Sequence, residues 1–466
     1  MIDGGATLTR RLERYRASTR GILTPAPPSV AAADLARKLA DALDGEVVRT
    51  TEGVTVRCEA PSRPLPVNRD RLATLPGQPP AGTPLVCLDT ETTGLATAAG
   101  TVAFLIGLGW WEADRFRQVQ LILPDHGEER ALLSALEAAI PPDAWLVTYN
   151  GRSFDWPLLV ARYRLARRAA PAHDGHLDLL PIVRRLFRHR MPDARLRTAE
   201  AELLGLQRVG DVDGWEIPGR YLGFLRGGPA TDLVDVVRHN DQDVRSLARL
   251  LAHLEGRLGD PAIRTEAPSG DLAGLARSFA REHRLDEALA CLDAAAERVE
   301  APRAAERSAA PTSFSNASDD DSWWSPRRRP DFGGRPTRPA VAILPPRTAA
   351  VDAPWTSERI AIDRAHLLRR LGRYPDAADA WTALAAGPGR AAIVAAIELS
   401  KLHEHRLRDG AAALTAALSG LDFVERRRRL GRTEPTLEWD LRRRVARLER
   451  RLSLRPASGR DRSRPV

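Results

Sequence analysis

Between Leu85 and Leu95 the chain reads L-V-C-L-D-T-E-T-T-G-L, four apolar residues running into two carboxylates, three hydroxyls and a glycine. Such a run predicts a buried strand that ends at a polar site. Side chains alternate along a strand, so Asp89 and Glu91 share a face. The stretches T-V-A-F-L-I-G-L-G-W-W from Thr101 and F-R-Q-V-Q-L-I-L-P from Phe116 predict two more strands, and the short links imply an antiparallel meander. A helical pattern over 128–140, a strand W-L-V-T-Y-N-G from Trp145 and a helix F-D-W-P-L-L-V-A-R-Y-R from Phe154 follow. Further helices are expected over 196–205, 217–226 and 232–255. Strands that alternate with helices in this way make an α/β domain, its sheet antiparallel over three strands and then parallel, flanked by helices.

The flanking regions read differently. Helical spacing over 8–18 and 32–43 and two alternating strands around Glu52 and Gly53 make a leader of residues 1–79, closed by the Pro-rich L-P-G-Q-P-P-A-G-T-P. The α/β domain is expected over 80–256. Beyond it lie helical pairs with Ala-rich second helices, one in 257–300 and the others in 356–455. Small residues such as Ala288, Ala377 and Ala417 would let these helices approach closely, and the spacing resembles tetratricopeptide repeats of ~34 residues. Residues 301–355, rich in Pro, Ser, Asp and Arg, cannot bury enough apolar surface to order themselves and read as a disordered insertion. Trp323 and Trp324 within it are more simply linker residues than a partner site. Residues 456–466 form a basic tail.

Composition changes the picture modestly. A length of 466 residues implies several domains, and the net charge of +9 favours anionic partners, nucleic acid first among them. Nearly all the positive charge is arginine, with Lys38 and Lys401 as the lysines. No apolar run approaches the ~20 residues of a membrane helix, and the N-terminus lacks a secretory apolar core, so a cytoplasmic protein is expected. Cys58, Cys87 and Cys291 are too widely spaced for a zinc knuckle or a disulfide framework.

The chemistry centres on carboxylates. Two acids at the end of an apolar strand must take up a proton or share a cation, and hard oxygen ligands suit Mg²⁺ or Mn²⁺. A phosphatase with paired aspartates is disfavoured, because the second acid is Glu91 and no lysine lies between Lys38 and Lys401. Asp155 falls just past a strand, at the start of a helix marked by Pro157. His239 and Asp243 are four apart, hence on one helix face, and could supply a carboxylate and an imidazole that deprotonates water near neutral pH. Asp241 is a second candidate acid, about 200° around the helix from Asp243.

The order of three strands followed by alternating helices and strands resembles the ribonuclease H plan. Asp89, Glu91, Asp155 and Asp243, in that order on those elements, resemble the DEDD (DnaQ-like) 3′ to 5′ exonuclease superfamily. The motifs D-T-E-T-T-G-L, Y-N-G-R-S-F-D-W-P, H-L-D-L-L-P-I-V-R-R-L, L-R-T-A-E-A-E-L-L-G and H-N-D-Q-D-V resemble its YprB-like branch, in which tetratricopeptide repeats often follow. The resemblance implies that the four acids bind two divalent ions, Mg²⁺ or Mn²⁺, which clamp a phosphodiester at ~3.5 to 4 Å separation. It implies that Thr92, Thr93 and Gly94 meet the terminal nucleotide, that Leu95 wedges beneath its base, and that Asn150 and Phe154 line the opposite wall. His176 and Asp178 would pack behind the ligands. His239 stands where one branch of the superfamily has Tyr, one residue nearer the acid than the other branch's His, which leaves its role as base open. The function so implied is hydrolysis of DNA or RNA. The alternative is a scaffold that grips nucleic acid while its repeats dock a protein.

Overall fold

The central strand Leu85–Thr92 is the third of seven in one mixed sheet. In the computed structural model the chain is described over residues 30–94, 100–300, 342–343 and 354–453. The expected helix over 8–18, Leu95, most of 301–355 with Trp323 and Trp324, and the tail from residue 456 lie outside the described residues. Two compact units are distinguished, the first holding described residues up to 184, 191–260 and 342–343, the second 185–190, 261–300 and 354–453.

The sheet comprises β1 (Glu46–Thr50), β2 (Gly53–Pro64), β3 (Leu85–Thr92), β4 (Ala103–Glu112), β5 (Arg115–Ile122), β6 (Trp145–Thr148) and β7 (Gly175–Asp178), in the order β1-β2-β5-β4-β3-β6-β7. β3, β4 and β5 form the expected antiparallel meander. β6 then adds parallel to β3, and β7 parallel to β6. The leader's strand pair is not a separate layer, since β2 pairs antiparallel with β5 and extends the same sheet.

Around it lie α1 (Val30–Leu43), α2 (Glu129–Ala139), α3 (Asp155–Leu165), α4 (Leu179–Phe187), α5 (Ile217–Leu225) and α6 (Val234–Leu254). β4 buries Phe104, Leu105, Ile106 and Leu108 almost completely. Each such side chain stabilises the fold by about 1.5–3 kcal/mol through lost apolar surface. Phe104 stacks on Tyr221 of α5 with ring centroids 4.1 Å apart.

Two glycines in β4 let α6 lie close on the sheet. A Cβ at Gly107, which pairs with Asp89, would sit 2.2 Å from Asn240 Oδ1 and 2.7 Å from Val244 Cγ2. At Gly109 it would meet Phe116 Cζ at 2.3 Å. Buried glutamines then tie the helix down. Gln120 Nε2 donates to the Val237 carbonyl at 2.7 Å and to Asn240 Oδ1 at 3.0 Å, and Gln118 Nε2 donates to the Asp241 carbonyl at 2.8 Å.

The second unit is helical, with Ser269–Arg281, Leu285–Glu300, Pro354–Arg370, Tyr374–Ala385, Arg390–Leu402, Gly410–Arg429 and Pro435–Ser453 in order. Sequence neighbours pack on one another, as in helical arrays. Ala288, Ala377 and Ala417 are all fully buried, as their small size required. No described helix is long and apolar enough to cross a membrane.

Candidate metal and nuclease site

The end of β3, the start of α3 and the middle of α6 converge. Strand alternation carries Asp89 and Glu91 toward α6, where Asn240 Nδ2 donates to Asp89 Oδ2 at 2.9 Å. His239 Nε2 lies 4.0 Å from Glu91 Oε1 and 3.6 Å from Asp243 Oδ2. Asp155 joins from α3, accepting a 2.5 Å hydrogen bond from the Thr90 hydroxyl. Glu91, His239 and Asp243 can each offer a ligand atom within 4.8 Å of the others.

Burial and mutual repulsion govern these groups. Asp89 is raised well above the usual carboxylate range, first by burial and then by the charges of Asp243, Asp155 and Glu91. Burial lifts Glu91 to about 8, against the pull of His239 and with the help of Asp243 and Asp155. Asp155 is raised by burial despite the Thr90 hydroxyl, and Asp178 adds to the rise. Four carboxylates confined this way bind a divalent cation or hold protons instead. The donor set fits such an ion, being carboxylate oxygen, which suits Mg²⁺ and Mn²⁺ alike, with the His239 imidazole beside it.

His239 is held from behind. Its Nδ1 donates to Asp211 Oδ1 at 2.8 Å, which leaves Nε2 facing Glu91 and Asp243. Burial lowers the imidazole's proton affinity, but Asp211, Asp243 and Glu91 outweigh it and raise His239 to about 9. Asp211, though burial opposes it, falls to about 2 under the pull of His239 and Arg208. Arg208 anchors the group. Its guanidinium grips Glu200 through Nε at 2.6 Å and Nη2 at 2.5 Å, contacts Asp211 at 3.1 Å, and pairs closely with Asp243 Oδ1. Ser246 Oγ also donates to Glu200 Oε1 at 2.5 Å.

The loop after β6 is shaped by Asp178. Its Oδ1 accepts from the backbone N–H of Asn150 at 2.7 Å and of Leu180 at 3.0 Å, and its Oδ2 from that of Arg152 at 3.3 Å. Asn150 is thereby fixed in the left-handed region at φ 70°. His176 Nε2 lies 2.8 Å from Thr148 Oγ1.

Of the residues singled out in the sequence, Asp89, Glu91, Asp155, His239 and Asp243 come together. Asp241 points elsewhere, into a buried pair with Arg245 on the Gln118 side. Thr92 Oγ1 donates to the Gly94 carbonyl at 2.7 Å, and Thr93 exchanges hydrogen bonds with Val102. Phe154, just before α3, is 52% exposed, unusual for so large an apolar ring. Sequence reasoning missed Asn240, Arg208, Asp211 and Glu200. Asn240 and Glu200 had a signal, lying inside the H-N-D-Q-D-V and L-R-T-A-E-A-E-L-L-G motifs, whereas Arg208 and Asp211 fall outside every quoted motif.

Without a cation, stability should depend on pH. The folded state holds a proton on Glu91 up to about 8, whereas the unfolded chain releases it near 4.5, so the penalty of ionising this acid grows across that window. The stabilising proton on His239 is fully in place below its ordinary 6.5 and is lost as pH rises through about 9. Both groups lower stability as pH rises. Thermal melts with chelator should therefore show a lower Tm at about pH 8.5 than at about pH 5.5, and Glu91→Gln should flatten the difference.

Residues 86–255 match the family model described as the RNase H superfamily. Over 176 residues the chain is 39% identical to the uncharacterized protein YprB of Bacillus subtilis (strain 168), a stretch amounting to 37% of this chain and 42% of that protein. The chain thus spans less than half the length of the curated relative it matches. The α/β unit carries an RNase H superfamily domain, and a helical region follows it.

Proposed function

We propose that this RNase H superfamily domain is a metal-dependent nuclease, a 3′ to 5′ exonuclease acting on DNA or RNA. The observation that carries the reading is the meeting of Asp89, Glu91, Asp155 and Asp243 from three separate elements, with burial raising the first three and repulsion from the other acids adding to the rise of Asp89 and Glu91. Such a cluster costs stability unless cations balance it, which is the expected signature of a built metal site rather than of a structural ion-pair network. Two bound Mg²⁺ or Mn²⁺ ions would activate a water and stabilise charge on the attacking and leaving oxygens.

The chain's own residues supply the rest. Asp89 is oriented by Asn240, and Asp155 by Thr90. His239 keeps Nε2 aimed at the acids because Asp211 holds Nδ1. With the acids' charge balanced, the imidazole returns toward its ordinary range, where it can take a proton from water near neutral pH. Thr92, Thr93 and Gly94 on one side and Asn150 and exposed Phe154 on the other are assigned to the terminal nucleotide, and Leu95, outside the described residues, is assigned to it by the resemblance alone. The helical pairs of the second unit are read as tetratricopeptide-like repeats able to hold a protein partner, and three buried free thiols suit a reducing cytoplasm.

One observation favours a second reading. Arg208 already pairs with an oxygen of Asp243, so that acid is partly balanced without a cation, as it could be in a domain that grips nucleic acid but does not cleave it. Thermal unfolding with Mn²⁺ separates the two. A nuclease site raises Tm with Mn²⁺, by about 2.7 kcal/mol of stabilisation at a hundredfold excess over Kd, and loses that rise in Asp155→Ala. No Mn²⁺ effect on the native chain would overturn the metal site and leave the binding reading.

A further inference from the structure

The last two helices of the second unit carry a concentration of charge that the catalytic reading does not use. Between residues 425 and 451 stand eleven arginines against five carboxylates, a surplus of six where the whole chain's is nine. The carboxylates are mostly engaged. Glu438 takes Arg428 and Arg442, while Glu434 takes Arg390 and Arg427. Arg426, Arg432, Arg443 and Arg450 have no carboxylate partner among the described residues.

The helix Pro435–Ser453 orders this charge. Leu441, Arg444, Val445 and Leu448 are buried and define its inward face. At 100° per residue, Trp439, Arg443 and Arg450 lie within about 40° of one another on the opposite face, spread along about 16 Å of axis. Trp439 is 61% exposed, a costly placement for an indole. The Arg443 guanidinium lies 5.2 Å from its ring centroid. An aromatic face with arginines along its line is the chemistry that binds a single strand, with the ring stacking on a base and the guanidiniums meeting phosphates.

We propose that this outward face, with Trp439, Arg443 and Arg450 at its centre, is a second contact for single-stranded nucleic acid, separate from the acids of the α/β domain. The inference rests on the nuclease reading for its choice of partner. An acidic protein would also be drawn to the arginines, but it would give no reason for a bare indole stacked on a guanidinium.

The test is fluorescence anisotropy of end-labelled single-stranded DNA and RNA of about 20 nucleotides, bound by the full chain in chelator so that nothing is cleaved. Trp439→Ala should raise Kd about tenfold for at least one of the two sugars. Arg443→Gln with Arg450→Gln should reduce the slope of log K against log salt by about 1.4. Both variants change exposed side chains, and matching melts confirm that they fold. Native Kd and native salt slope in both variants would overturn the proposal, whether or not a protein partner exists. Hydrolysis of a nucleotide p-nitrophenyl ester, which needs only the acids, is expected to be unchanged in both. If the native chain hydrolyses nothing but Trp439→Ala still loses binding, the contact stands and the nuclease reading falls. Intact hydrolysis with unaltered binding leaves the opposite.

Discussion

Asp89→Ala is expected to lower metal-dependent hydrolysis by on the order of a thousandfold, about 4 kcal/mol of transition-state stabilisation, because it removes a charged oxygen donor from the acid cluster. The fold should survive. Asp89 sits half-buried among three other acids and is held well above its ordinary range, so without cations its ionised form opposes folding. In chelator the variant should melt no lower than the native chain near neutral pH, while the Mn²⁺-induced rise in Tm disappears. An activity loss accompanied by a large drop in Tm would mean that Asp89 acts through structure.

Arg208→Ala should do the reverse, with stability as the main casualty. Its side chain is 3% exposed and that of Glu200 wholly buried, so removing the guanidinium strands a carboxylate in the interior and leaves Asp211 and Asp243 uncompensated. Breaking one side of such a network costs about 3–5 kcal/mol. Denaturant unfolding measures the loss, and combining Arg208→Met with Glu200→Gln should recover much of it by removing the stranded charge. Mn²⁺ should stabilise Arg208→Ala more than the native chain, since both oxygens of Asp243 are then available. A cost below about 1 kcal/mol would show that the network is solvated rather than buried.

Much of this arrangement was legible because it is local. Asp89 and Glu91 could be placed on one face from strand periodicity, Asp155 at a helix start from Pro157, and His239 beside Asp243 from helical spacing. Asp241 was correctly set apart by the same geometry, and it pairs with Arg245. The parts that stayed hidden depend on distant partners. Alternation marked β1 and β2 as strands, but not that β2 would pair with β5 some sixty residues on and extend the sheet. Arg208 and Asp211 sit in a loop without periodicity, and Glu200 reads as an ordinary helix acid until Arg208 and Ser246 meet it. Gly107 and Gly109 did carry a signal, since a glycine within a strand marks a close approach, here of α6.

The central claim is that the clustered acids hydrolyse phosphodiester bonds with divalent metal. The most direct test follows 5′-labelled single- and double-stranded DNA and RNA with Mg²⁺ or Mn²⁺, running the native chain beside Asp89→Ala. The account predicts stepwise shortening from the 3′ end by the native chain, dependent on metal and absent in the variant. Equal cleavage by Asp89→Ala, or no cleavage of any substrate by a native chain that binds them, would contradict it.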